Sequence, residues 1–199
     1  MSVNVPLEPG HYFHIFNRGN NRENIFLEER NYLHFLRLYQ KYIFPVCDTF
    51  AYCLMRNHFH LLLRIRENQT CQVSENLAGL QVSRQFSNLF NSYAKAINSS
   101  FKRTGSLFEK PFGRIKVSSE HHFSRLIHYI HFNPQKHGFV DDFRSYPFTS
   151  YHAMVSAKPT HLLRDEVLSW FQGLEGFVEM HDMLCDENQH RHLVEGDFD

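Results

Sequence analysis

Apolar residues recur along this chain with two periods, and the alternation between them sketches an architecture. From His11 to Asn17 apolar and aromatic side chains alternate with others, the two-residue period of a strand. Tyr32, Phe35, Leu36, Tyr39, Tyr42 and Ile43 then recur at three-and-four spacing, the stripe of an amphipathic helix that Pro45 ends. Phe50–Met55 and Asn57–Arg66 are strand-like runs almost in contact. They predict a tight hairpin around Arg56-Asn57, with asparagine accepting left-handed backbone. A second helix is predicted from about Ser74 to Asn98, with Phe86, Leu89, Phe90, Tyr93 and Ile97 on one face, followed by a polar loop to Ser106. Phe112–Val117 reads as a fourth strand. Ser118 or Ser119 can cap a third helix, which Asn133-Pro134 is expected to close after about His131, since a residue before proline avoids helical dihedrals. Strand, helix, strand, strand, helix, strand, helix predicts an α+β fold in a single domain. Its form is a mainly antiparallel sheet with helices packed on it, the ferredoxin-like (split βαβ) arrangement.

The end of the chain breaks this rhythm. Asp141–Pro159 reads as irregular chain draped on the domain, and Asp165–Gln172 as a short helix with Gly173 just past it. His181–Asp199 is polar and acidic, with disorder expected.

Composition adds constraints. In 199 residues, 42% apolar and with twenty phenylalanines, there is material for one sizeable core. No run approaches the roughly 20 apolar residues that cross a bilayer, and Met1–Gly10 lacks the pattern of a secretory signal. Cys47, Cys53, Cys71 and Cys185 show neither paired metal spacing nor the density of a disulfide scaffold. A soluble protein of a reducing cytoplasm is the plain expectation. The net charge of zero conceals an asymmetry: residues 81–140 carry nine Lys/Arg against two Asp/Glu, and 141–199 carry four against twelve. A basic middle suits a polyanion, because each cation meeting a phosphate releases condensed counterions.

Candidate chemistry lies on the hairpin and the third helix. Side chains alternate on a strand, so His58 and His60 share a face with Leu62, Arg64 and Arg66, while Phe59, Leu61, Leu63 and Ile65 supply the buried side. The strand thus needs neither histidine for its core, and two imidazoles at this spacing can share a metal ion. On the helix Phe123, Leu126, Ile127 and Ile130 complete an apolar stripe. Tyr129 and Asn133, four apart, stack on its flank with His122. A tyrosine hydroxyl attacking phosphorus is sluggish as a neutral phenol. A divalent ion on His58, His60 and the amide oxygen of Asn133 would supply the missing Lewis acid. Mixed imidazole and oxygen ligands suit Mg²⁺ or Mn²⁺, although imidazole pairs also attract Zn²⁺. His14 reads as a hydrogen-bonded sheet histidine, and His131 points away from Tyr129. Arg18, Arg22, Arg64, Arg114 and Lys116 are candidates to track a DNA backbone. Arg114 and Lys116 share one strand face, and nearby Phe and Tyr rings can stack unpaired bases.

Five segments then carry a resemblance: Tyr12-Phe13-His14, Phe16-Asn17-Arg18-Gly19-Asn20, Leu54-Met55-Arg56-Asn57-His58-Phe59-His60-Leu61-Leu62, Gly105-Ser106-Leu107-Phe108, and Tyr129-Ile130-His131-Phe132-Asn133-Pro134 with Lys136-His137-Gly138. In order and spacing they resemble the HUH single-tyrosine transposases, in particular the REP-associated tyrosine transposases, over residues 9–152. The resemblance implies a catalytic domain over 1–152, with an acidic, partly helical extension over 153–199. It implies that His58 and His60 are the paired histidines of the HUH motif, that Tyr129 forms a 5′-phosphotyrosine link and frees a 3′ hydroxyl, and that Asn133 is the third metal ligand. It further implies single-stranded DNA with a hairpin, such as a REP-like palindrome, as partner, and leaves a homodimer open. Arg56 stands where such proteins usually have proline, which is expected to alter the turn or add a phosphate contact without removing the site. Two other readings stay open on sequence alone: a ferredoxin-like module that binds single-stranded nucleic acid without cutting it, and a hydrolase attacking with metal-bound water.

Overall fold

The computed structural model describes residues 5–67 and 75–183. Strand β1 (Tyr12–Arg18) is followed by helix α1 (Glu29–Tyr42), strands β2 (Cys47–Met55) and β3 (His58–Ile65), helix α2 (Glu75–Ser100), strand β4 (Gly113–Val117) and helix α3 (Glu120–Lys136). The four strands form one antiparallel sheet in the order β2-β3-β1-β4. β3 thus fills the gap between β1 and β2 that the α1 crossover leaves, which is the split βαβ arrangement expected from the element order. Ser74, the expected start of the second helix, lies outside the described residues.

Alternation along the strands builds two cores. Phe13 and Ile15 on β1 and Phe59, Leu61, Leu63 and Ile65 on β3 pack under α1 and α2 against Phe35, Tyr39, Phe86, Leu89 and Tyr93. The sequence leaves the opposite face outside the core, and the structure does not. Phe50, Leu62 and Val117 on that face pack with Phe123, Ile127 and Ile130 of α3. Apolar side chains at the β2 end of the face drive this second layer, and His58 and His60 border it.

The hairpin turn also differs from expectation. Neither Arg56 nor Asn57 adopts positive φ. Long-range hydrogen bonds hold the turn instead: the Arg56 carbonyl accepts from the Ile25 and Phe26 amides at 2.7 and 2.9 Å, and the Asn57 carbonyl from Gly19 N at 2.8 Å. Left-handed residues occur instead in the loop after β1, at Asn21 and Arg22 (φ 56° and 60°).

Helix α3 starts at the Ser119 cap as expected but runs through Pro134 to Lys136 rather than closing before the proline. Proline costs the helix one amide bond. That loss falls in the last turn, where the His137 and Phe139 amides close on the carbonyls of Asn133 and Pro134 at 3.0 and 2.8 Å.

The region beyond 140 is more ordered than its sequence suggests. Ser150 N and Leu54 N bond to Tyr52 O and Phe148 O, both at 2.9 Å, covering the edge of β2. Helices α4 (Tyr151–Val155), α5 (Arg164–Trp170) and α6 (Leu174–Met183) follow. Val167, Phe171 and Phe177 enter the second core. His181, expected in a disordered tail, is fully buried on α6; residues 184–199 lie outside the described chain. Among the described residues no helix is long and apolar enough to cross a membrane.

Candidate active site

The cleft of interest opens where β1, the β2–β3 turn and the end of α3 meet. It encloses about 460 Å³ and is lined by Phe16, Arg18, Arg22, Asn57, His58, His60, Tyr129, Lys136 and His137, among others. Sheet register sets one wall, since Phe16 pairs with His60 and Arg18 with His58 across β1 and β3. The other wall is α3, whose Tyr129 ring lies 5.5 Å from that of His60.

Each histidine of the pair is fixed through Nδ1. His58 Nδ1 donates to Asn57 Oδ1 at 2.7 Å, leaving Nε2 as the lone-pair nitrogen. His60 Nδ1 shares a 3.0 Å hydrogen bond with His14 Nε2. The sheet histidine expected at position 14 is therefore the partner that orients His60. Burial, seconded by the positive charge of neighbouring groups, holds these imidazoles neutral. The pKa of His58 falls to about 3, for which burial, His137 and Arg18 are responsible. That of His14 falls to about 3 through burial and His122, and that of His60 lies well below the usual range through burial, His14 and His58. Neutral imidazole is the form that ligates metal.

Asn133 lies fully buried one turn along α3 from Tyr129. Its Nδ2 donates to the Tyr129 carbonyl at 3.1 Å. Since a carbonyl can only accept, this bond fixes the carboxamide so that Oδ1 is the opposite end. That oxygen is buried and has no hydrogen bond of good geometry. It is near enough to the His58 imidazole to oppose the fall in its pKa. Among the described residues no three His, Cys, Asp or Glu side chains form a metal site. Two imidazole nitrogens and this orphaned amide oxygen are the donor set on offer.

The basic candidates divide. Arg18 and Arg22 line the cleft, with Arg18 lying 3.6 Å from Glu109. Arg56 lies 5.1 Å over the ring of Phe139, which lines the cleft. The other three lie elsewhere. Arg64 is far along β3, bonded to Asp48 at 2.9 Å and to Glu166 at 2.8 Å over the rings of Tyr12 and Phe50. Arg114 and Lys116 do share a face, but they pair with Ile15 and Phe13, so the face is the one beneath α1 and α2. There Arg114 lies over Phe112 and Lys116 Nζ meets Glu8 at 2.6 Å. They share one face as expected, and the register, which strand alternation alone does not give, puts that face on the side of the sheet away from His58 and His60.

Among the cleft residues that sequence reasoning does not single out for the site, Lys136 and His137 stand closest to the predicted chemistry. Lys136 Nζ is 5.5 Å from the centre of the Tyr129 ring, and the His137 ring is 4.9 Å from His58. Lys136 is seven residues after Tyr129 and His137 four after Asn133, so helical spacing would find both. The expected end of the helix, before Pro134, hides them.

No family model matches the chain. A curated protein of Haemophilus influenzae, provisionally named a REP-associated tyrosine transposase, is 27% identical over 113 residues, which is 56% of this chain and 62% of that one. The match thus spans about three fifths of the relative's length. A solved structure of a REP-associated tyrosine transposase bound to a REP hairpin superposes with a TM-score of 0.55 at 16% identity, covering 80% of this chain and 88% of that one. The chain is thus similar in sequence to the first over part of its length and shares the fold of the second.

Proposed function

We propose that this protein cuts and rejoins single-stranded, hairpin-containing DNA through a covalent link between Tyr129 and a 5′ phosphate, with Mg²⁺ or Mn²⁺ held by His58, His60 and Asn133. The observation that carries the reading is the orphaned Asn133 Oδ1, one helical turn from Tyr129 and beside His58. An unsatisfied buried oxygen costs about 1–3 kcal/mol. A cation shared with two neutral imidazoles would remove that cost, so the residues present fit the group. When bound, the ion supplies Lewis acidity to the phosphoryl oxygens.

The remaining chemistry belongs to the chain. Tyr129 Oη forms a bond to phosphorus as the bond to the 3′ oxygen breaks; the phenol gives up its proton and the departing 3′ oxygen gains one. Rejoining reverses these steps. Lys136, against the Tyr129 ring, puts positive charge beside the oxygens that carry negative charge in both directions. Arg18 and Arg22 along the cleft, and Arg56 over the lining residue Phe139, hold the backbone. The hairpin bound by the structural neighbour supports hairpin DNA as substrate.

The test is a denaturing gel of protein incubated with hairpin DNA carrying single-stranded flanks, in Mg²⁺ or Mn²⁺. Wild type should yield protein-linked DNA, and Tyr129→Phe none, with its DNA affinity kept. Undiminished cutting by Tyr129→Phe would instead identify water as the nucleophile, and binding without cutting by wild type would identify a binding module.

A further inference from the structure

The lining of the cleft contains a ring that no step above uses. Phe16 pairs across the sheet with His60 on one side and Gly113 on the other. Its ring lies 6.1 Å from that of His60 at 30°, and 5.1 Å from that of His14. It is half-buried and lines the same cleft as Tyr129. Gly113 is what permits this placement: a Cβ there would fall 2.0 to 2.5 Å from the outer atoms of the ring. The phenyl group therefore extends over the glycine backbone at the sheet edge.

We propose that Phe16 is a stacking platform for one unpaired base next to the phosphate that Tyr129 attacks. The inference rests on the reading of the cleft as a DNA-cleaving site. A cleft of about 460 Å³ is the size of a nucleotide rather than of a duplex, which suits an unpaired nucleotide beside the attacked phosphate. Its phosphate is served by cations, and its base needs a surface that accepts any π-face, which an aromatic ring provides and an aliphatic side chain does not. Arg18, two residues along β1 and on the same face, lies on the cleft to meet the backbone of the same strand. Phe16 thereby holds one base beside the cut without reading its edge.

The test places 2-aminopurine at one flank position at a time in a DNA hairpin with single-stranded flanks, bound to the uncleaving Tyr129→Phe protein. One position should be quenched on binding, and that quenching should be lost in Tyr129→Phe/Phe16→Leu, which keeps bulk but removes the ring. An abasic nucleotide at the same position should weaken binding about 5- to 100-fold to the protein that retains Phe16 and leave binding to the Phe16→Leu variant unchanged. Gly113→Ala, which displaces the ring, should reproduce the loss and carries the test if Phe16→Leu does not fold. Equal quenching in all variants, or an abasic penalty independent of Phe16, overturns the proposal. Covalent adduct formation by wild type is read separately. Its absence alongside ring-dependent quenching would sink the cleavage reading and leave the stacking surface standing.

Discussion

Asn133 Nδ2 donates to the main-chain carbonyl of Tyr129 at 3.1 Å, and this bond turns the other end of its carboxamide, unpaired, to the side where His58 lies. The proposed nucleophile and the proposed third ligand are thereby held together within one helical turn. Asn133→Leu removes the orphan at nearly constant volume. Without metal its stability should stay within about 1 kcal/mol of wild type, because an apolar isostere at an unsatisfied polar site is close to neutral. The rise in Tm that saturating Mn²⁺ gives wild type should largely vanish, since stabilisation by a ligand follows its affinity for the folded state. A Mn²⁺-induced Tm shift of the same size in Asn133→Leu would remove Asn133 from the ligand set.

Much of this geometry is legible from spacing. His58 and His60 two apart on a strand, and Tyr129 and Asn133 four apart on a helix, declare their shared faces locally. Where the reading fails, the deciding interactions are distant in sequence. The Arg56-Asn57 turn is held by amides of Gly19, Ile25 and Phe26, so its dihedrals are not legible from the turn itself. Pro134 ends no helix because the following turn finds its own acceptors. The register of β4 against β1, invisible in either strand alone, sends Arg114 and Lys116 to the face away from the site.

Arg64 illustrates the difference between a basic residue and a DNA contact. Its guanidinium is shared by Asp48 and Glu166 and lies over two aromatic rings, and so it ties β3 to β2 and α5. Arg64→Ala should cost about 1–3 kcal/mol in urea denaturation, the range for breaking a partly exposed, hydrogen-bonded charge network. DNA affinity of the folded fraction should not change. A loss of affinity together with a shallower salt dependence would return Arg64 to the interface.

Arg22 should show the opposite balance. It holds φ at 60°, a conformation that costs a residue with a side chain about 1–2 kcal/mol and that glycine adopts freely. Arg22→Gly should therefore leave stability unchanged or raise it by up to about 1 kcal/mol, while removing one cation from the cleft. Binding of hairpin DNA should weaken at every flank sequence tested. The slope of log affinity against log salt should fall by about one unit, as expected for one phosphate contact. An unchanged slope would mean that Arg22 faces the cleft without touching the backbone.

The extension beyond residue 152 is joined to the helix of Tyr129 by a directed chain of hydrogen bonds. His181 Nδ1 donates to Phe177 O at 2.7 Å, so its Nε2 must accept, and it does so from His131 Nδ1 at 2.9 Å. His131 Nε2 then accepts from Ser150 Oγ at 2.7 Å, while that oxygen takes the Tyr52 amide at 2.9 Å. All three side chains are fully buried. The arrangement requires neutral imidazoles. Burial lowers His181 from about 6.5 to about 4, and burial with the field of His181 holds His131 well below its ordinary range. The sign follows: below about pH 6.5 the unfolded chain takes up protons that the folded one refuses. Stability from His181 is therefore complete above that pH and is lost as pH falls toward about 4, at about 1.4 kcal/mol per pH unit. His181→Phe keeps the ring but leaves His131 Nδ1–H without its acceptor, and should cost about 1–3 kcal/mol at pH 7.5. His181→Gln, which restores an acceptor, should recover part of this. Urea midpoints from pH 7.5 to 4 should fall less steeply for His181→Phe than for wild type, by roughly one proton's worth of slope. Parallel curves would mean that the interlock contributes packing alone.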